Sequence, residues 1–351
     1  MIKIKEISDI LIAANDLYKE CGELFKYLAD VRINFSSLKA HNVPWQLSQI
    51  IEIVASSKMD KLNLKLNDVI KNYCFNLSEN TLAKKAVISS FKAIFLISKL
   101  RNNKEKENID FDDILSIIEI YRKTFKVEQI KPTNLSKENI NALVLLLNGK
   151  FSNNPLYFFP VFLLLIEKLL ESFPFKNSAR STLINLYLIK NKFLFAPSMC
   201  FSYPLQNFYK KYKDLLIETI KDSKKIKDFA RFTFDILKQA SVVSRAFISD
   251  LSKIKDKLDR SDFTKGKKIN TLILKSIIFE NFDNLKRLNN SEQKEKEITN
   301  FLIENNLVSE MLKFQNHKIY MFNEYIESIN KLINNKTEKT TKIFTLRENL
   351  S

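Results

Sequence analysis

From Ile7 to about Leu100 apolar residues recur at intervals of three and four, as in ILIAANDLYKECGELFKYLADV and TLAKKAVISSFKAIFLISKL, the spacing of helices that each bury one face. A hydrophilic run, RNNKEKENIDFDD, breaks the pattern and reads as a surface loop before the helix DILSIIEIYRK. Ser136 is then a good N-cap for INALVLLLN, and the Asn-Asn-Pro at 153–155 breaks the chain again. The run LYFFPVFLLLI (Leu156–Ile166) is too short to span a bilayer and is closed by Glu167 and Lys168, so a buried helix through Ser172 is predicted. A second central helix is predicted from about Ser178 to Lys192, ending at Ala196–Pro197. Two amphipathic segments follow, LQNFYKKYKDLLIETI and IKDFARFTFDILKQASVVSRAFISDLSKIKDKL. The charged stretch SDFTKGKK, 261–268, is the best domain boundary. Beyond it helices are predicted near Ile269–Phe282 and Glu292–Asn305. MLKFQNHKIYMFNEYI then alternates like a short hairpin before a terminal helix, and residues after about Lys336 form a polar tail.

Only 3 of the 351 residues are glycine and 7 are proline, which favours long helices and argues against a glycine-rich phosphate loop. The predicted class is all-α. Cys21, Cys74 and Cys200 lie far apart with no pairing pattern and are expected to be reduced thiols. The only histidines, His41 and His317, stand in no metal-ligand spacing, so no metal site is expected. His317, at the predicted turn, reads as an exposed polar residue, and Trp45 as a packing anchor. The opening MIKIKEISDILIAA has no apolar stretch followed by a small-residue cleavage site. An ordinary helix and a cytoplasmic protein are expected, with no membrane partner. The net charge of +17 is spread along the chain rather than gathered in one stripe. It therefore fits a lysine-, asparagine- and isoleucine-rich vocabulary as well as it fits nucleic-acid binding.

The stretch FPFKNSARSTLINLYLIKNKFLFAP (Phe173–Pro197) joins the two central helices through a short polar break. It resembles the Fic family, helical proteins that transfer AMP from ATP to a target hydroxyl. In that family a helix ends in HPFx(D/E)GNGRxxR, a second helix starts inside the motif, and Ala-Pro follows. Phe173, Pro174 and Phe175 stand at the HPF positions, and LINLYLIKNKFLFAP is similar to the second helix and its exit. EIVASSKMDKLNLKLNDVI (Glu52–Ile70) is similar to the family's inhibitory helix, (S/T)xxxE(G/N), with Ser56 and Asp60 at the serine and glutamate positions and Lys61 at the glycine. The resemblance covers roughly Asp9–Leu258. It implies an N-terminal helical region over 1–70 and a degenerate Fic-like core over 71–260.

The chemistry that the resemblance implies is depleted. Phe173 cannot take a proton as the family's histidine does, and Asn177 is at best a weak substitute for the acid that holds magnesium. KNSA replaces the Gly-Asn-Gly turn on which backbone N–H groups converge on phosphate. Ser178 and Ser181 occupy the arginine positions, and Arg180 lies one residue out of register, about 100° around the helix. That leaves Arg180 either reaching a phosphate or sitting at the surface, solvated or in an ion pair. YRKTFKVEQIKP is too short for the family's target-docking flap. Phe173 and Phe175 then read as core aromatics filling an emptied pocket. The expectation is a non-catalytic binding or regulatory protein with a protein partner and no cofactor. The enzymatic alternative is residual AMP transfer using ATP and magnesium.

Residues 267–335 resemble the winged-helix domain that often follows Fic domains, with 336–351 as a tail. DNA contact would fall to Lys294, Lys296 and Lys318, which makes a DNA-binding regulator the third possibility. Glu292, Glu295 and Glu297 interleave with those lysines where phosphate would lie, which weakens the surface for DNA and leaves a protein-interaction or dimer module as the alternative.

Overall fold

The computed structural model describes residues 4–37, 43–62, 64–75, 81–102, 108–126, 137–149, 154–171, 173, 175–259, 300–314 and 317–334. These residues are mostly helical, as the three-and-four spacing predicts, and they fall into two compact units. One unit comprises 1–37 and 45–245, with all but the first two residues of the helix that starts at Val43; the other comprises 38–44 and 246–351. The boundary thus falls inside a helix, whereas the predicted boundary at 261–268 lies outside the described residues. No helix among them is long and apolar enough to cross a membrane.

The first unit contains α1 (Ile4–Ile12), α2 (Asp16–Ser37), α3 (Val43–Met59), α4 (Leu66–Phe75), α5 (Leu82–Asn102), α6 (Phe111–Phe125) and α7 (Lys137–Leu147). It continues with α8 (Phe159–Leu169), α9 (Lys176–Lys190), the short α10 (Ser202–Leu205), α11 (Tyr209–Lys221) and the first part of α12 (Ile226–Asp259). A helix apolar on every side has to be central, and α8 is buried from Phe159 through Glu167. Its start is set by a 3-10 turn, Pro155–Phe158, capped by the Asn154 side chain, with Pro160 in the first helical turn where its missing N–H costs nothing. Helix α9 is buried from Asn177 to Ile189 and packs against α5, α6, α7 and α8. Each fully buried Leu, Ile or Phe there is worth about 1.5–3 kcal/mol.

Alpha helices that end in a left-handed residue usually recruit glycine, and this chain has little of it. Helix α3 ends in a Schellman turn with Lys61 at φ 61°, closed by Leu62 N–H to Ser57 O and Lys61 N–H to Lys58 O. Helix α9 ends in the same way at Lys192, φ 62°, with Phe193 N–H donating to Leu188 O.

Helix α2 lies parallel to α12. Arg231 pairs with Asp16 and Glu20, Lys238 with Glu23 at 3.0 Å and Arg245 with Asp30 at 3.2 Å. The rungs at Asp16, Glu23 and Asp30 each join residues 215 apart in sequence, so both helices advance by the same seven residues per rung.

In the second unit the predicted hairpin is present. Strands β1 (Val308–Phe314) and β2 (His317–Phe322) are antiparallel, Val308 opposite Phe322, with a bulge between Glu310 and Leu312. The helical residues 300–304 before it end in a further Schellman turn at Asn306, φ 53°. Helix α13 (Asn323–Asn334) follows β2 directly, and Leu302, Val308, Met321, Phe322, Tyr325 and Ile329 are buried. Asp250 meets Ser328, and Lys257 meets Glu324.

Candidate functional site

Helix α9 begins with backbone N–H groups that no residue of its own first turn satisfies, because its N-cap position is Phe175, which has no side-chain acceptor. The acceptor comes from 117 residues earlier in the chain. Asp60, in the turn that ends α3, takes the N–H of Asn177 (3.1 Å) and the Asn177 amide (2.6 Å) on Oδ1. Its Oδ2 takes the N–H (3.2 Å) and hydroxyl (3.0 Å) of Ser178. One carboxylate thus caps the positive end of the central helix. Burial pushes Asp60 above the usual carboxylate range, and these hydrogen bonds oppose that push.

Asp60 closes a polar stripe along α3. Gln49, Glu52, Ser56 and Asp60 recur at three and four residues and therefore share one face. The Ser56 and Ser178 hydroxyl oxygens lie 3.4 Å apart. Glu52 is fully buried, accepts from the Ser202 N–H on both oxygens (2.8 and 2.9 Å) and also accepts from the Ser181 hydroxyl. Burial raises its pKa as well. The Gln49 amide donates to Pro197 O at 2.5 Å. Asn185 on α9 exchanges two hydrogen bonds with the backbone of Met199, and Ser244 of α12 donates to Ser198 O. The segment after Ala196–Pro197 is therefore fixed from three helices.

Arg180 is not at the surface, as one predicted alternative would have it. Its side chain is 1% exposed, and it donates from Nη1 to Glu167 Oε1 at 2.6 Å. Tyr212 of α11 donates to the same oxygen at 2.9 Å, and Lys176 lies 3.6 Å from the other. The guanidinium also lies over the Tyr212 ring, 5.1 Å from its centroid. Burial would raise the Glu167 pKa, but Arg180 and Lys176 prevail and hold it below the ordinary value. Nε and Nη2 of Arg180 have no hydrogen-bond partner among the described residues.

The break itself is filled by rings. Phe175 stacks on Phe125 at the end of α6, centroids 3.7 Å apart, and Phe173 meets Phe175 edge-on at 6.4 Å. Phe173 is buried; Phe175 is only half-buried. Behind them Tyr121 and Thr182 share a 2.6 Å hydrogen bond, and burial lifts the Tyr121 phenol to about 12.

The structure thus brings together Ser56, Asp60, Asn177 and Ser178, sets Ser181 on Glu52, and binds Arg180 to Glu167. Pro174, Lys294 and Lys296 lie outside the described residues, as does the second half of the segment read as a shortened flap, 127–132. Lys318 stands on β2 opposite Lys313, the only placement the structure gives it. Glu52, Glu167, Tyr212 and Phe125 were not singled out by sequence. The spacing of Gln49, Glu52, Ser56 and Asp60 was a partial signal: four polar residues at helical intervals, on a helix that also carries Gln46, Ser48, Ser57 and Lys58. No group of three or more His, Cys, Asp or Glu that could hold a metal is present among the described residues. The sequence matches no protein-family model and no curated protein significantly.

Proposed function

We propose that this chain is a Fic-like protein that has lost AMP transfer and acts as a binding or regulatory protein. The observation that carries the reading is Asp60. In a nucleotide transferase of this kind the first turn of the second helix receives phosphate; here those N–H groups already have a carboxylate, buried and held by four hydrogen bonds. The same conclusion is supported by Arg180, which is committed to Glu167, and by the Phe125–Phe175–Phe173 rings at the break, where a proton acceptor would be needed.

The test is titration calorimetry of the full chain with magnesium-ATP, paired with transfer of labelled adenylate. Neither binding nor labelling is expected. Labelling of any protein, itself included, that disappears in both Arg180→Ala and Ser178→Ala overturns the reading in favour of residual transfer.

The hairpin β1–β2 followed by α13 favours a second reading, a winged-helix module that contacts DNA. Binding to duplex DNA that falls steeply with salt, and falls again in Lys318→Ala, is its test.

A further inference from the structure

Helix α2 carries two apolar seams. Leu17, Cys21, Leu24, Leu28 and Val31, alternately four and three apart, are buried and hold it on the first unit. One residue later Tyr18, Gly22, Phe25 and Ala29 repeat the same spacing, with Arg32 next in step; Tyr18, Gly22 and Phe25 are exposed, and Ala29 and Arg32 half-buried. Tyr18 is 45% exposed, Phe25 54%, and Ile33 at its end 64%. A Cβ added to Gly22 would meet nothing within 4 Å, so the space over it is open. Four-and-three spacing on an outward face is the pattern into which a second helix interlocks, and Phe25 between Gly22 and Ala29 is a large knob with a recess on either side.

The anchors are already immobilised. The Tyr18 ring stacks on Tyr157 at 4.4 Å, and Tyr157 is itself tied by its hydroxyl to Leu11 O and Ala14 O. Phe25 rests edge-on against Phe193 at 6.3 Å. Side chains fixed before a partner arrives lose little entropy when it binds.

Charge selects the partner. With an advance of about 100° per residue, Lys19 and Lys26 follow the seam on its outer side, both exposed. At its far end Arg32 donates to Lys192 O at 2.7 Å and lies 4.8 Å over the Phe195 ring. None of these cations has a carboxylate partner among the described residues. The acids of α2, Asp16, Glu20, Glu23 and Asp30, are engaged by the bases of α12, and Glu23 and Asp30 follow Lys19 and Lys26 by one helical turn.

We propose that this face of α2 docks an acidic amphipathic helix of another protein, apolar at four-and-three spacing and lined by Asp or Glu on its flanks. The proposal rests on the reading of the chain as a binding protein and gives that reading a partner chemistry.

Fluorescence anisotropy with the full chain tests it. The probe is a helical peptide of about three heptads with Leu at a and d and Glu at e and g, compared with the isomer carrying Lys at e and g. The Glu peptide is expected to bind saturably and at least about tenfold tighter than the Lys peptide, and to weaken as salt rises. Phe25→Ser, and separately Lys19→Glu with Lys26→Glu, should each weaken it about tenfold or more. The lysine variant alters exposed side chains only, so an unchanged urea midpoint certifies its fold. Equal binding of the two peptides, no binding of the Glu peptide, or binding indifferent to both variants overturns the proposal. So does sedimentation showing a wild-type dimer that Phe25→Ser dissociates, which would assign the face to a second copy. Adenylate labelling is read in a separate assay, so failure of the non-catalytic reading and failure of this docking face are distinguishable.

Discussion

Replacing Glu167 with glutamine leaves the shape of the buried pair nearly intact and removes its negative charge. Arg180 then keeps a full positive charge in a site where its side chain is 1% exposed, with Lys176 still close by. Stripping one member from a buried pair costs about 3–5 kcal/mol, because the survivor is desolvated without compensation. Set against a total stability of about 5–15 kcal/mol, that is a large share. With an m-value of roughly 2–3 kcal/mol/M, the urea midpoint followed by circular dichroism should fall by roughly 1–2 M. A cycle isolates the cause. Glu167→Leu with Arg180→Met removes both charges at similar volume and should recover most of the loss, since apolar replacements of buried pairs are often neutral or stabilising. Tyr212 keeps a neutral acceptor in Glu167→Gln and loses it in Glu167→Leu, so the double variant is compared with Glu167→Leu alone, where that loss is common to both. A Glu167→Gln cost below about 1 kcal/mol, or a double variant no more stable than Glu167→Leu alone, refutes the view that Arg180 is held by Glu167.

Asp60→Ala should cost about 1–2 kcal/mol in urea unfolding by uncapping α9, more than an exposed alanine substitution, which stays within about 0.5 kcal/mol. The buried carboxyls make opposite demands on pH. Asp60 and Glu52 titrate above their ordinary values of 3.8 and 4.5 in the fold, so the folded chain binds more protons and their contribution is lost as pH rises through the folded pKa. Glu167 titrates below 4.5, so its contribution is present above that value and lost as pH falls through the depressed pKa. Chemical denaturation across pH should therefore show stability in Glu52→Gln rising less than in wild type between neutral and mildly acidic pH, and Glu167→Gln should flatten the loss at the acid end. Lys61→Gly should raise stability by about 0.5–1 kcal/mol, because a left-handed residue costs an L side chain about 1–2 kcal/mol and the looser unfolded chain returns part of that gain. In differential scanning calorimetry this is an increase of about 1–4 °C.

The two central helices were legible because α8 and α9 are apolar runs bounded by Asn-Asn-Pro and Ala-Pro. Their observed limits, Phe159–Leu169 and Lys176–Lys190, differ from the predicted ones by a few residues where 3-10 and Schellman turns take over. The hairpin was legible from alternation between Met311 and Phe322. The partnership of Arg180 was not. Once a helix is buried on all sides, its periodicity no longer says which neighbour each polar residue faces, and Glu167 looked like the solvated end of an apolar run. Asp60 fell between the two cases. The resemblance marked Asp60, Asn177 and Ser178 separately, but the contact among them, and the role of Asp60 as the cap of α9, required knowing that Phe175 supplies no acceptor.

The ladder between α2 and α12 offers a way of finding kin that overall similarity does not reveal. Three rungs with one fixed offset mean that reversing an acid at 16, 23 or 30 is tolerated when the base at 231, 238 or 245 reverses with it. Among proteins sharing this architecture, signs at those six positions should therefore change in pairs, phased by heptads, even where little else can be aligned.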